Sequence, residues 1–167
     1  MKGRGDVRIE PMAVTDPAAL ELIAALDAEL DARYPEPGAN HFRLDADEVA
    51  PGRGAFLIAR DRASEKALGC GAVRVNEGGV GEVKRMFVRP SARGRSIGRL
   101  LLEALEAEAR KLGVRRLVLE AGERQVEAIG LYERAGFVRI ERFGEYVDSP
   151  HSVCMGKTIS GSTERGV

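Results

Sequence analysis

Three arginines and two glycines crowd one short turn, Arg93-Gly94-Arg95-Ser96-Ile97-Gly98-Arg99, inside the stretch EVKRMFVRPSARGRSIGRLLLEAL that starts at Glu82. An apolar strand-like run precedes the turn and a periodic helix pattern comes after it. A helix start presents unpaired amides and the positive end of the helix dipole, which together suit a phosphate. Gly94 and Gly98 have no Cβ to hold a ligand off the backbone. Neither a Walker loop nor Gly-x-Gly-x-x-Gly occurs, so ATP and dinucleotide sites are poorly supported. Metal chemistry has few donors to work with. The chain has two histidines, His41 and His151, and two cysteines, Cys70 and Cys154, far apart and among small or apolar neighbours. They read as buried thiols, and no metal site is expected.

The elements that must position this turn can be read from periodicity. Residues 7–14 read as a strand, closed by Thr15-Asp16-Pro17, a cap followed by proline at the first helical position. Leu20, Leu22, Ile23, Leu26 and Leu30 then recur at helical spacing over residues 18–32. Residues 54–60, 68–75 and 80–88 read as an antiparallel run of three strands joined by polar turns. Pro90 ends the last of them, since it has no amide for a ladder. Residues 96–112 form a strong amphipathic helix with Gly113 behind it, residues 116–120 a strand, and residues 124–134 a second helix stopped by Ala135-Gly136. Residues 137–140 and 152–157 close the sheet, and the last ten residues read as a frayed tail. The order predicts an α/β layered fold, with a mixed, mostly antiparallel sheet of six to seven strands and helices on its faces.

Length and charge bound the rest. A chain of 167 residues is near the size of one domain. With 26 basic and 26 acidic residues it has no basic excess, which argues against a nucleic-acid partner. Nothing approaches the roughly 18 apolar residues needed to span a bilayer. No apolar run follows the first basic residues, so a cytoplasmic location is the expectation.

The turn and the segment after it resemble the GNAT acetyltransferase superfamily. That family's pyrophosphate loop reads Gln/Arg-x-x-Gly-x-Gly/Ala, and Arg93 to Gly98 fits it with Ser96 where glycine is usual. A second family mark, an Asn followed by Ala and a Tyr-x-x-x-Gly-Phe ending, is matched by Gln125, Ala128, Leu131, Tyr132, Gly136 and Phe137, with Gln for Asn. The likeness spans about residues 7–158. It implies a fourth strand splayed from the fifth, with acetyl-coenzyme A as co-substrate in the gap. Met86, Phe87 and Val88 would then meet the pantetheine arm through their backbone, and Arg93, Gly94, Arg95, Ser96, Ile97, Gly98, Arg99 and Gln125 would hold the rest. Ser96 is expected to offer its amide and to cap the helix.

The same resemblance implies catalytic roles. A free alkyl amine is protonated near pH 7, so direct transfer benefits from a base. Glu82 stands where several relatives carry one, with Lys84 on the same strand face as its expected partner. Glu120 is the competing base. Tyr132 matches the family's usual proton donor to the leaving thiolate, and much of the rate gain would come from positioning amine against thioester. The acceptor site would draw on Tyr34, Phe42 and Tyr146, aromatics placed in polar segments, together with Lys84 and Glu120. Arg43 or Arg74 is suited to hold a carboxylate, and Asp148 or Glu145 an ammonium. A small-molecule amine is the leading acceptor. A protein lysine or N-terminus, which would need an open groove, and a catalytically silent acyl-coenzyme A-binding module are the alternatives. A homodimer is expected by analogy alone.

Overall fold

The computed structural model describes residues 6–36 and 44–159. The expectations for His41, Phe42, Arg43 and the final tail after residue 159 lie outside the described residues.

The chain runs β1 (Val7–Pro11), α1 (Pro17–Arg33), β2 (Gly54–Asp61), β3 (Ala67–Val75), β4 (Val80–Val88), α2 (Ile97–Lys111), β5 (Arg116–Gly122), α3 (Val126–Arg134), β6 (Val138–Ile140) and β7 (Ser152–Thr158). Most limits fall within two residues of the predicted ones. The first strand is the exception and stops at Pro11. Asp16 then caps α1, its carboxylate accepting the Ala18 amide at 2.9 Å with Pro17 in the first turn. A 3-10 turn, Ala46–Val49, stands in the stretch that the sequence leaves unassigned.

One seven-stranded sheet has the order β1-β2-β3-β4-β5-β7-β6. Neighbours are antiparallel except β4 and β5, which are parallel. Strand alternation sends Phe56 and Ile58 to one face with Leu22 and Leu26 of α1, and Leu57 and Ala59 to the other with Leu101 and Leu105 of α2. Both faces are therefore covered. Each fully buried leucine contributes about 1.5–3 kcal/mol of transfer free energy, so the two helices are held to the sheet by side-chain burial more than by propensity.

Two irregularities in β4 matter for the site. The β3–β4 register steps from Cys70 opposite Phe87 to Ala72 opposite Lys84, which leaves one extra residue in β4. Arg85, at φ 57°, absorbs this bulge. Gly71 lies across from it, where a Cβ would press on the Met86 sulfur at 2.6 Å. The second irregularity is the β4–β5 pairing, which runs only from Val80 opposite Arg116 to Val83 opposite Leu119. β4 continues to Val88 and β5 to Gly122 without pairing to each other, so the two strands fork.

Candidate active site

The fork opens onto a cleft of about 480 Å³. Its floor is Met86, Phe87 and Val88 of β4. One end is the loop and helix start, with Gly94, Ser96, Ile97, Gly98 and Arg99, and the far wall is α3 with Gln125, Ala128, Leu131 and Tyr132. The first backbone bond of α2 runs from the Leu100 amide to the Ser96 carbonyl. The amides of Ile97, Gly98 and Arg99 therefore precede the helical ladder, and all three residues line the cleft. Gly98 sets how closely α3 approaches: a Cβ there would lie 3.0 Å from Leu131 Cδ2. Gly94 has φ 89°, a conformation a glycine adopts without cost.

Ser96 departs from expectation. It sits in the left-handed region at φ 63° and makes no side-chain capping bond. The loop demands the conformation that glycine would supply, so the hydroxyl is not directed to the helix amides as a cap.

All three of the loop's arginines are already engaged, Arg99 with Glu103 one turn on at 3.2 Å. Arg93 Nε donates to the Val88 carbonyl at 2.9 Å, its Nη2 to Glu29 of α1 at 2.8 Å, and its guanidinium lies over the Phe87 ring. Arg95 points the other way. Its Nη2 pairs with the buried Asp61 at the end of β2 at 3.1 Å, and the side chain takes no part in lining the cleft. The expectation that Arg95 faces the cofactor therefore holds for its backbone at most, because Asp61 claims the charge.

A second, smaller cavity of about 80 Å³ adjoins the cleft, sharing Leu26, Met86, Gln125 and Tyr132 with it. Tyr132 thus stands between the two. Its ring is buried edge-on against Phe137 at 5.9 Å. Burial, and then the nearby Glu120 charge, push its phenol well above the usual range, so it carries its proton at neutral pH. Lys84, Glu120 and Tyr146 line the small cavity with apolar neighbours. Glu120 is held above the ordinary carboxylate range by burial first, relieved in part by the Ser152 hydroxyl, which donates to it at 2.5 Å, with the Glu82 charge adding to the rise.

Glu82 is not the exposed strand carboxylate that its sequence context suggests. It is 1% exposed. One oxygen is 3.1 Å from Arg74 Nη2, and the other accepts the Tyr146 hydroxyl at 2.6 Å. Arg74, across the β3–β4 ladder from Glu82, also pairs with Glu48. The sequence reading offers Arg74 to an acceptor's carboxylate, whereas its partners in the structure are the protein's own. Lys84, expected to pair with Glu82, lies 3.5 Å from Glu145 instead. The hairpin register sets Glu82 opposite Arg74, whose guanidinium takes the carboxylate.

Tyr34 belongs to neither cavity. It is buried at the end of α1, accepts the Arg124 amide at 2.6 Å, and lies under the Arg124 guanidinium at 4.9 Å. A Cβ on Gly122 would overlap its hydroxyl. Tyr34, expected in the acceptor site, anchors the β5–α3 turn. In that turn Gln125 Oε1 accepts the Gly122 amide at 2.8 Å while its residue remains in the wall of both cavities. The sequence misses Ser152, Arg74 as a partner of Glu82, and Glu29 at the cleft rim. The observed register, Val75 opposite Gly81, is one residue off the pairing that counting back from the 76–79 turn gives, so the Arg74–Glu82 pair could not be counted out. Ser152 and Glu29 carry no local signal.

No group of metal-ligating side chains occurs among the described residues, and no described helix is long and apolar enough to cross a membrane. The family model described as "Acetyltransferase (GNAT) family" matches residues 20–137. A relative from Azospirillum brasilense described as an IAA acetyltransferase is 46% identical over 143 residues, covering 85% of this chain and 91% of that protein. A Klebsiella pneumoniae structure, described as a candidate acyl-CoA N-acyltransferase, superposes with a TM-score of 0.80 at 37% identity, covering 92% of this chain and 97% of that one. A GNAT acetyltransferase from Elizabethkingia anophelis, solved with acetyl-CoA bound, shares the fold at TM-score 0.66 and 17% identity, covering 93% and 99%. The forked β4–β5 pair and the glycine loop at the start of α2 thus sit in a chain that belongs to the GNAT family of N-acetyltransferases.

Proposed function

We propose that the chain transfers the acetyl group of acetyl-coenzyme A to a primary amine of a small molecule, by direct attack within a ternary complex. The observation that carries this reading is Tyr132, a protonated phenol shared by a long cleft and a small polar cavity holding Glu120. The cleft suits a phosphate-bearing thioester: helix-start amides and Arg99 at one end, Met86 to Val88 along the floor. The Val88 carbonyl, assigned to the pantetheine arm, now accepts Arg93. Cofactor binding then draws Arg93 off Val88 and Glu29 towards the pyrophosphate, exchanging one anion for another.

Glu120 is the better placed base. It faces the small cavity, and its raised affinity for protons suits it to accept one from an ammonium near neutral pH. The amine so freed attacks the thioester carbonyl. A C–N bond forms, the C–S bond breaks, and Tyr132 gives its proton to the departing sulfur and recovers one from the nitrogen. The sum is one ammonium and one thioester converted to amide, free thiol and a proton. Much of the acceleration comes from holding the two reactants together. The cavity's small volume supports a small acceptor over a protein side chain.

Acetyl-coenzyme A binding by calorimetry, followed by release of free thiol across a panel of amines, tests the reading. The panel also includes the acceptor named for the Azospirillum relative. Micromolar binding with thiol release on one amine class supports it. Binding with no release on any small amine favours a protein acceptor or a silent binding module. No binding removes the loop assignment.

A further inference from the structure

A regular strand sends neighbouring side chains to opposite faces. Lys84 and Arg85 break that rule. Lys84 stands opposite Ala72, which packs with Leu22 and Leu26 on the α1 side of the sheet. Arg85, the next residue, also reaches α1, where its Nη2 meets Asp27 at 2.5 Å. In an unbroken ladder Arg85 would face Gly71, and its side chain would point to the α2 side, where a Cβ on Gly71 would meet Leu105. The bulge turns it round. It does so at a cost, since φ 57° is a region that residues with a Cβ avoid. The Cys70 thiol donates to the Arg85 carbonyl at 3.3 Å and holds the bulge from β3. A strained residue kept in place this way points to a use for its side chain.

The surroundings say which use. Among the described residues, Lys84, Arg85 and Glu120 are the charged ones that line the small cavity. Lys84 is already answered: Glu145 lies 3.5 Å away, it has a further contact besides, and its charge acts on Glu120, whose proton affinity it lowers. Tyr146 is committed too, its hydroxyl to Glu82 and with a further contact beyond that. Arg85 differs. The carboxylate it meets, Asp27, lies outside the cavity wall and is 55% exposed, against 13% for the arginine. Water competes for such a carboxylate, so the pair is weakly held. A guanidinium carries five N–H donors in a planar fork that fits a carboxylate, and Asp27 takes one of them.

A bare ammonium drawn to Glu120 would bring positive charge to a wall that already carries two cations. An acceptor with an acid group of its own removes the conflict. Its ammonium goes to Glu120 and its carboxylate to Arg85. We propose that Arg85 is a specificity-determining residue, and that the acceptor is an amino carboxylate whose acid group displaces Asp27 from the guanidinium. This rests on the acetyltransfer reading above. The cavity of about 80 Å³ suits a carboxylate better than a bulkier phosphate.

The test uses the full chain and measures kcat and KM by thiol release. The acceptors are glycine, β-alanine, γ-aminobutyrate and larger amino acids, each beside its carboxamide, which keeps the amine and removes the charge. The parent, Arg85→Gln, Arg85→Lys and Asp27→Asn are compared by the ratio of kcat/KM for acid and amide. The intrinsic reactivity of each amine cancels when that ratio is compared between variants. The parent should favour at least one acid over its amide. Arg85→Gln should cut the ratio roughly 10-fold through KM, the effect of losing a hydrogen bond to a charged group. Arg85→Lys keeps the charge without the fork and should recover part of the ratio. Asp27→Asn removes the competing carboxylate and should lower KM for the acid several-fold. A merely structural ion pair between α1 and β4 would give no such gain. Acetyl-coenzyme A affinity in calorimetry reports that each variant is folded. A parent that favours the amides, a ratio unchanged in Arg85→Gln, or a KM for the acid that does not fall in Asp27→Asn would each overturn the proposal. If Arg85→Gln does not fold, Arg85→Lys and Asp27→Asn decide. A parent that binds acetyl-coenzyme A and acetylates no amine sinks the function reading itself, whereas one that acetylates amines with no preference for acids sinks only this inference.

Discussion

At the residue scale, the chemistry divides between groups that exchange protons and groups that hold others still. Tyr132 is the former kind. Tyr132→Phe should lower kcat by about 100-fold, within the usual range for removing a general acid. Its acetyl-coenzyme A affinity, read by calorimetry, should move little, because the ring still fills the wall between the cavities. Glu120 sets the pH response. Base catalysis needs the carboxylate, so kcat/KM should rise with pH through a midpoint above the ordinary carboxylate range. The sign for stability is the reverse: a folded-state proton affinity above the unfolded one favours the fold at low pH and loses that favour as pH climbs through the folded midpoint. Glu120→Gln should remove both dependences, as pH-rate and pH-melting profiles would report. Tyr132, Glu120 and Glu82 are all legible in the sequence as reactive types. Which carboxylate faces the cavity is not. That depends on Tyr146, 64 residues from Glu82 in the chain, and no local pattern encodes such a meeting.

At the scale of elements, most of the architecture can be read from period and punctuation. The β4 limits, Val80 to Val88, match the predicted ones because turn residues flank the strand on one side and Pro90 on the other. The bulge at Arg85 is absent from the sequence reading. A left-handed arginine has no compositional mark, and the available hint is Gly71 inside the partner strand, a glycine that gives Met86 room. Ser96 misleads for a related reason: serine reads as a cap, yet the loop holds it where glycine belongs. The start of α2 carries the sharpest prediction here. Gly98→Glu should abolish acetyl-coenzyme A binding in calorimetry, since its Cβ would press on Leu131 at 3.0 Å and its carboxylate would face the same amides as the phosphate. The β5–α3 turn gives another. Gly122→Ala should cost about 1–3 kcal/mol, as overpacking against a buried neighbour does, and lower the melting temperature by several degrees, because the Tyr34 hydroxyl leaves no room.

For the whole molecule, acetyl-coenzyme A should be a stabiliser as well as a substrate. A ligand that binds only the folded chain at a hundred times its dissociation constant adds about 2.7 kcal/mol. Thermal melts with and without it should separate for the parent and coincide for Gly98→Glu. The forked sheet gives this a particular form. Below the fork, β4 and β5 share a ladder of four residue pairs, and above it the facing edges of the two strands no longer pair with each other. Once Arg93 leaves the Val88 carbonyl, those edges can pair with an amide-rich ligand, which would then serve as an eighth strand laid between two halves of the sheet. Amide hydrogen exchange records that role without any catalysis. The peptide groups of residues 84–88 on the forked side should trade deuterium quickly in the free chain and slow sharply once the ligand is bound, while the amides paired below Val83 keep the same protection throughout.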